Sequence, residues 1–218
     1  MHDHRHAFRR HLVLGSAAAT LLLACGCSES SQSKGKILAK DATLLCLGDS
    51  LTFGYGAGAG RSYPQRLEQL TGHVTQNAGV NGNTAEDALA RLPGLLQNNT
   101  PGLVLVSVGG NDFLRNIPLE RTRAALKAIL QMAASSAQLV LIAQPGPVSQ
   151  AAATASLKDH PVYAELAAQT GVPLFADGWS SVLSRAEWRS DPIHANAQGY
   201  SVFADRLAAW LRLTGFVS

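Results

Sequence analysis

Residues 103–108 read Leu-Val-Leu-Val-Ser-Val, a nearly unbroken apolar run with no helical or alternating period. A strand in a sheet covered on one face would alternate apolar and polar; a run apolar throughout needs cover on both faces, as in a parallel sheet flanked by helices. Four further short runs fit strands: Leu44–Leu47, Val74–Asn77, Leu139–Ala143 and Val172–Phe175. Between them lie Ala/Leu-rich stretches with helical spacing at 62–71, 84–97, 119–135 and 161–170, and 197–213 follows the last strand. This alternation predicts an α/β fold: a doubly wound, flavodoxin-like, mostly parallel five-stranded sheet with helices on both faces. In such sheets ligands sit outside the carboxyl ends of the strands, near the point where strand order reverses. The residues that follow each strand are therefore the ones to read together.

The first 24 residues stand outside this pattern. Arg9-Arg10 precede an apolar stretch, Leu12 to Ala24, that is short for a membrane span and suits an export signal. Leu22-Leu23-Ala24-Cys25 resembles a bacterial lipobox, which implies lipidation of Cys25 and an envelope-anchored, periplasm-facing protein; the arginine pair loosely resembles a twin-arginine signal. Residues 25–40 are polar and Ser-rich and read as a tether, leaving 41–218, long enough for one well-buried domain. The whole chain carries 18 Lys+Arg against 15 Asp+Glu, and 15 against 14 remain once residues 1–24 are removed. No basic face is left to bind nucleic acid. The three cysteines (Cys25, Cys27 and Cys46) form no metal-ligand spacing with histidine, so neither a metal nor a cofactor is expected, and the domain is expected to be a monomer.

The strand ends carry a distinct chemistry. Gly48-Asp49-Ser50 follows the first run, NAGVNGNT (77–84) the second and Gly109-Gly110-Asn111-Asp112 the third. Turn preference alone would make Ser50 a helix N-cap. Read together, these loops bring a hydroxyl, glycine amides and a carboxamide to one rim, which is what acyl transfer needs. Ser50 is the candidate nucleophile. Its own N–H, the N–H of Gly82 and the side chain of Asn111 are candidate donors to an oxyanion. Four of the seven histidines leave with residues 1–24; of those left, His73 precedes a strand at the end opposite the rim, His160-Pro161 reads as a loop, and His194, just before the last helix, is the preferred base by position. Asp191, three residues before it, is placed to meet Nδ1 and set the tautomer. Asp49 and Asp112, also at strand ends, are expected to accept backbone N–H bonds.

These four blocks, in this order, resemble the signature blocks of the SGNH/GDSL hydrolases, and the likeness covers nearly all of 41–218. The most similar branch holds periplasmic thioesterase/lysophospholipases and arylesterases. The resemblance implies Ser50 as nucleophile, His194 as base, Asp191 as its orienting acid, and an oxyanion hole from Ser50, Gly82 and Asn111. Asn83 stands where that family often has Asp, and Ala195 where it often has Pro. Neither residue carries chemistry. The substrate class implied is an acyl or aryl ester, a thioester or a lysophospholipid, with acetyl esters of envelope glycans and a non-catalytic glycan- or lipid-binding domain as alternatives. The loops at 53–61 and 144–160 are expected to decide among these. The Gly-rich stretch 54–60 lacks the spacing of a dinucleotide fingerprint, and Gly48-Asp49-Ser50-Leu51-Thr52 lacks the second glycine of a nucleophile elbow.

Overall fold

The computed structural model describes His2 and residues 35–146 and 157–218. The export segment, Cys25 and most of the tether lie outside the described residues, as does most of loop 144–160. Residues 35–38 already belong to the domain: Gly35 and Leu38 donate backbone bonds to Thr214 and Phe216 at 2.8 and 2.9 Å, and Leu38 is buried. Within the stretch read as a tether, Gly35 and Leu38 thus pack with the domain.

Five strands form one parallel sheet: β1 (Leu44–Gly48), β2 (Thr75–Gly79), β3 (Leu103–Ser107), β4 (Gln138–Ile142) and β5 (Leu174–Phe175). Their order is β2-β1-β3-β4-β5, the doubly wound arrangement expected. Eight α-helices accompany them among the described residues. In chain order they are α1 (Ser50–Phe53), α2 (Tyr63–Thr71), α3 (Ala85–Asn99), α4 (Gly110–Leu114), α5 (Leu119–Ala134), α6 (Pro161–Thr170), α7 (Gly178–Leu183) and α8 (Ala197–Leu213).

Every residue of β1 and β3 is buried, as their continuous apolar sequence requires. Successive side chains serve opposite layers. Leu44, Cys46, Leu103, Leu105, Val140 and Ile142 pack with α2, α7 and α8. Leu45, Leu47, Val104, Val106, Leu139 and Leu141 pack with α3, α5 and α6. At roughly 1.5–3 kcal/mol for each fully buried aliphatic side chain, these two layers hold the sheet rigid beneath its rim.

The edges differ from the sequence pattern. β2 runs Thr75–Gly79 and not Val74–Asn77, and Val74 is 64% exposed. Its place follows from pairing: Leu44 faces Thr75 and Gly48 faces Gly79 along the ladder, so the polar strand is held by backbone bonds to β1. β5 contributes only two residues, which pair with Leu141 and Ile142. The short helices α1, α4 and α7 have too few turns to leave a period in the sequence. Two of them hold residues of the candidate site: α1 begins at Ser50, separated from β1 by one residue, and α4 holds Asn111 just beyond β3. From β1 the chain winds out to β2 and then back to β3 on the other side, so the reversal of order lies between the two strands that bear these helices.

Candidate active site

At the end of β1 the backbone leaves no space for a side chain. A Cβ on Gly48 would collide with the Thr52 side chain and the Ser107 carbonyl. The cap of α1 is Asp49, and Ser50 is the first helical residue, so the N-cap expected at Ser50 falls one residue earlier. The Asp49 Oδ1 accepts the Leu51 N–H at 3.0 Å, and its Oδ2 accepts from Gln144 Nε2 at 3.0 Å. With Asp49 turned inward to cap, Ser50 is left at the rim.

There the Ser50 Oγ lies 2.9 Å from His194 Nε2, although 144 residues separate them. The other imidazole nitrogen, Nδ1, lies 2.7 Å from Asp191 Oδ2. The second oxygen of Asp191 accepts the N–H groups of Ile193 and His194 at 2.9 and 2.8 Å, which closes a tight turn around the carboxylate. Burial opposes its charge, but the His194 side-chain bond and these two N–H groups outweigh that and hold the carboxyl below its ordinary range. A carboxylate facing Nδ1 keeps the proton there and leaves the Nε2 lone pair for the serine hydroxyl.

The histidine loop is braced from two sides. Ser190 donates its N–H to the His194 carbonyl at 3.0 Å. The Tyr55 ring leans on the imidazole at a centroid distance of 4.5 Å, and the Tyr200 hydroxyl donates to the Tyr55 carbonyl at 2.9 Å. Gly56, at φ +83, lies so close to Ser190 that a Cβ would overlap its side chain. The Gly-rich stretch is thus the surface on which the histidine loop rests.

The candidate oxyanion donors come from the neighbouring loops. Asn111 Nδ2 donates one proton to the Asn83 carbonyl at 3.0 Å, which fixes the amide and leaves its second N–H to spare. Gly82 has φ +77, a left-handed conformation that suits glycine, and its carbonyl accepts from Arg115 at 2.9 Å. The amides of Ser50 and Gly82 have no partner among the described residues. Arg91 ties this loop to the serine turn, donating to Asn83 Oδ1 and to the Gly48 carbonyl, each at 2.8 Å.

Ser50, Asn111 and His194 share the wall of one cavity, whose apolar side includes Phe113, Leu114, Leu157, Leu183 and Ile193. Gly82 is not part of that wall and stands beside it, one residue from the carbonyl that Asn111 engages. The remaining histidines are elsewhere. His73 is buried at the opposite end of the sheet, with Nδ1 3.2 Å from the Ala42 carbonyl. His160, in the loop before α6 as expected, caps that helix: its Nδ1 accepts the Val162 N–H and its ring stacks on Phe113, away from the Ser50 hydroxyl. Asp112 is buried and accepts from Ala85 N–H and Thr122 Oγ1, each at 3.0 Å, joining the start of α3 to α5. Cys46 is buried within β1, and burial pushes its thiol up to about 12, too high to act as a nucleophile. Among the described residues no group of three His, Cys, Asp or Glu could hold a metal ion, and no helix is long and apolar enough to cross a membrane.

Sequence reasoning missed Gln144, Tyr55, Arg91 and Arg115. Only Gln144 leaves a readable trace, a polar side chain closing the run Leu-Val-Leu-Ile-Ala-Gln. The other three act through contacts that join distant loops.

The model of the GDSL-like lipase/acylhydrolase family matches residues 46–202. Thioesterase 1/protease 1/lysophospholipase L1 of Escherichia coli is 34% identical over 174 residues, covering 78% of this chain and 83% of its own. An arylesterase of Vibrio mimicus is 32% identical over 153 residues, covering 68% and 76%. The crystal structure of TesA superposes with a TM-score of 0.70 at 26% identity, covering 79% of this chain and 99% of that one. These likenesses span both the sheet and the loops at its rim, and on them the chain belongs to the GDSL-like lipase/acylhydrolase family, as an ester hydrolase.

Proposed function

We propose that the protein is a serine esterase that cleaves acyl or aryl esters through an acyl-enzyme on Ser50. The observation that carries this reading is the chain of bonds Ser50 Oγ–His194 Nε2 at 2.9 Å and His194 Nδ1–Asp191 Oδ2 at 2.7 Å. As Ser50 Oγ attacks the ester carbonyl carbon, His194 Nε2 takes the hydroxyl proton and Asp191 steadies the imidazolium. Negative charge gathers on the carbonyl oxygen, towards which the amides of Ser50 and Gly82 and the carboxamide of Asn111 can donate; one such donor is typically worth about 10²–10³ in kcat. Collapse breaks the bond to the leaving alcohol, which receives the proton from His194. A water molecule then repeats the cycle, releasing the acid and restoring the serine.

The apolar wall of the cavity supports a hydrocarbon acyl or aryl group more than an acetylated sugar. The E. coli relative's name adds thioesters and lysophospholipids to the substrates worth assaying. A fluorophosphonate is expected to add once per chain, at the peptide containing Ser50, as read by mass spectrometry. Across p-nitrophenyl esters from acetate upwards, kcat/KM is expected to rise with chain length before it levels. Labelling elsewhere, or turnover confined to acetylated glycan, would overturn the proposal.

Export and lipid anchoring through Cys25 are part of the same proposal, supported by Leu22-Leu23-Ala24-Cys25 and the polar stretch after it. Produced with its own leader, the protein is expected to enter the detergent phase, and Cys25→Ser to stay in the aqueous phase. An unmodified cleaved N-terminus would remove the anchor and leave the esterase reading intact.

A further inference from the structure

We propose that Gln144 is a positioning residue for the reaction: its carboxamide, buried under the rim, holds the turn that carries Ser50 and the helix that carries Asn111 in one fixed register. The inference rests on the reading above, in which Ser50 attacks and Asn111 receives the oxyanion.

Gln144 lies just past β4, two residues beyond Ile142, and is fully buried. Its Oε1 accepts the N–H of Gly110 at 2.6 Å. Its Nε2 donates to Asp49 Oδ2 at 3.0 Å and to Ser107 Oγ at 3.2 Å. Gly110 is the residue before Asn111, and Asp49 the residue before Ser50. One amide therefore bonds the immediate neighbours of the nucleophile and of the oxyanion donor.

The orientation of that amide is dictated by its partners. A backbone N–H can only donate, so the oxygen must face Gly110; a carboxylate accepts, so the nitrogen must face Asp49. A flipped amide would set donor against donor on one side and oxygen against oxygen on the other. The remaining proton meets Ser107 Oγ, which also accepts from Trp179 Nε1 at 3.0 Å, so the amide is buttressed from below. Its backbone is held as well, since the Gln144 carbonyl accepts the His160 N–H at 3.0 Å. On the α4 side the approach is too close for any side chain: a Cβ on Gly110 would stand 2.6 Å from Gln144 Oε1.

The strands beneath do not need this bond, because their ladders and two apolar layers already hold them. What it adds is a fixed spacing between two catalytic groups on different strand ends. Misplacement of a reacting group by about 1 Å can cost roughly 10²-fold in rate without a large change in substrate binding. Burial pushes the Asp49 carboxyl up to about 6, and the Gln144 and Leu51 bonds act against that rise. The ionisable groups whose charges reach Asp49 are His194, Arg91, Tyr63, Tyr163 and Tyr200. All five are present in wild type and variants alike, so a pH-dependent ratio between them reports on position 144 and its partner Asp49.

The test compares Gln144→Met, which keeps the length and removes both hydrogen-bonding ends, with Gln144→Glu and Ser50→Ala. Thermal unfolding establishes the folded fraction; kcat, KM and the rate of fluorophosphonate labelling are then measured per folded molecule. Gln144→Met is expected to lower both kcat and labelling rate by about 10–100-fold with KM within about threefold of wild type. Gln144→Glu places a second carboxyl against Asp49, and a proton shared between the two restores the bond that the amide made. That proton is lost as pH rises, so the ratio of Gln144→Glu to wild type is expected to fall at least about tenfold from about pH 5.5 to pH 8. This second variant keeps the question open if the methionine variant does not fold. Folded Gln144 variants with kcat near wild type, a KM effect alone, or a pH-independent Gln144→Glu ratio would overturn the proposal. An active Ser50→Ala would overturn the underlying reading instead.

Discussion

Ser50→Ala and His194→Ala are each expected to lower kcat by roughly 10⁵–10⁶, and the double variant to be no slower than the worse single one. In the proposed mechanism the two side chains act on one proton. His194 Nε2, 2.9 Å from Ser50 Oγ, has nothing to deprotonate once the hydroxyl is gone, and the hydroxyl has no acceptor once the imidazole is gone. Removing either therefore removes the same step, and the losses do not multiply. A residual rate of about 10³–10⁴ over water should persist, because the oxyanion donors and the apolar cavity wall are untouched by either change. Ser50 and His194 both line an existing cavity, so truncating either widens that cavity and closes off no new void in the core, and folding should survive. Single-turnover rates with a p-nitrophenyl ester, on protein checked for its unfolding transition, measure the effect. Losses that multiply in the double variant would mean that the two residues serve separate steps.

Asp191→Asn is expected to cost up to about 10⁴ in kcat, while Asp112→Asn and Asp177→Asn should act mainly on stability and Asp49→Asn, which removes an acceptor of Gln144, should lower kcat by no more than the roughly 10–100-fold expected of Gln144→Met. An asparagine at 191 can still accept the N–H groups of Ile193 and His194 through its oxygen. Its NH₂ then faces Nδ1, where Asp191 Oδ2 now sits at 2.7 Å. A donor in that place favours the lone pair on Nδ1 and the proton on Nε2, and that tautomer cannot take a proton from Ser50. The other three residues are held differently. Asp49 caps α1 and meets Gln144, and Asp112 joins α3 to α5. Asp177, in a left-handed conformation at φ +55, precedes α7 and donates its N–H to Asp159. Each variant is compared by kcat per folded molecule and by its unfolding midpoint. A nearly active Asp191→Asn beside a folded but inactive variant at one of the other three positions would reassign the acid.

The sheet was legible because its evidence is local. Leu103 to Val106 is apolar throughout, and only cover on both faces makes such a strand stable, so the parallel α/β class followed from one run and its neighbours. The polar edge strand β2 and the two-residue β5 were less legible, since each is defined by the partner it pairs with. Among the candidate site residues, Ser50, Asp191, His194, Gly82 and Asn111 could be picked out because each follows a strand or lies in a rim connection. Their spacing to one another could not be read from the chain.

What the sequence alone determined is what depends on neighbouring residues: the layer order, the loops that reach the rim, and the three-residue turn that lets Asp191 meet His194. What only the tertiary structure decided is what depends on residues far apart in the chain. The bond from His194 to Ser50 spans 144 residues, and the bond from Gln144 to Asp49 spans 95. The physical reason is the range of the forces involved. Apolar periodicity reports burial along one segment, whereas a hydrogen bond forms only when two groups meet within about 3 Å in the right direction. That distance is fixed here by strand order, by close approaches at Gly48 and Gly56, and by side chains such as Gln144 and Arg91 that join one strand end to the next.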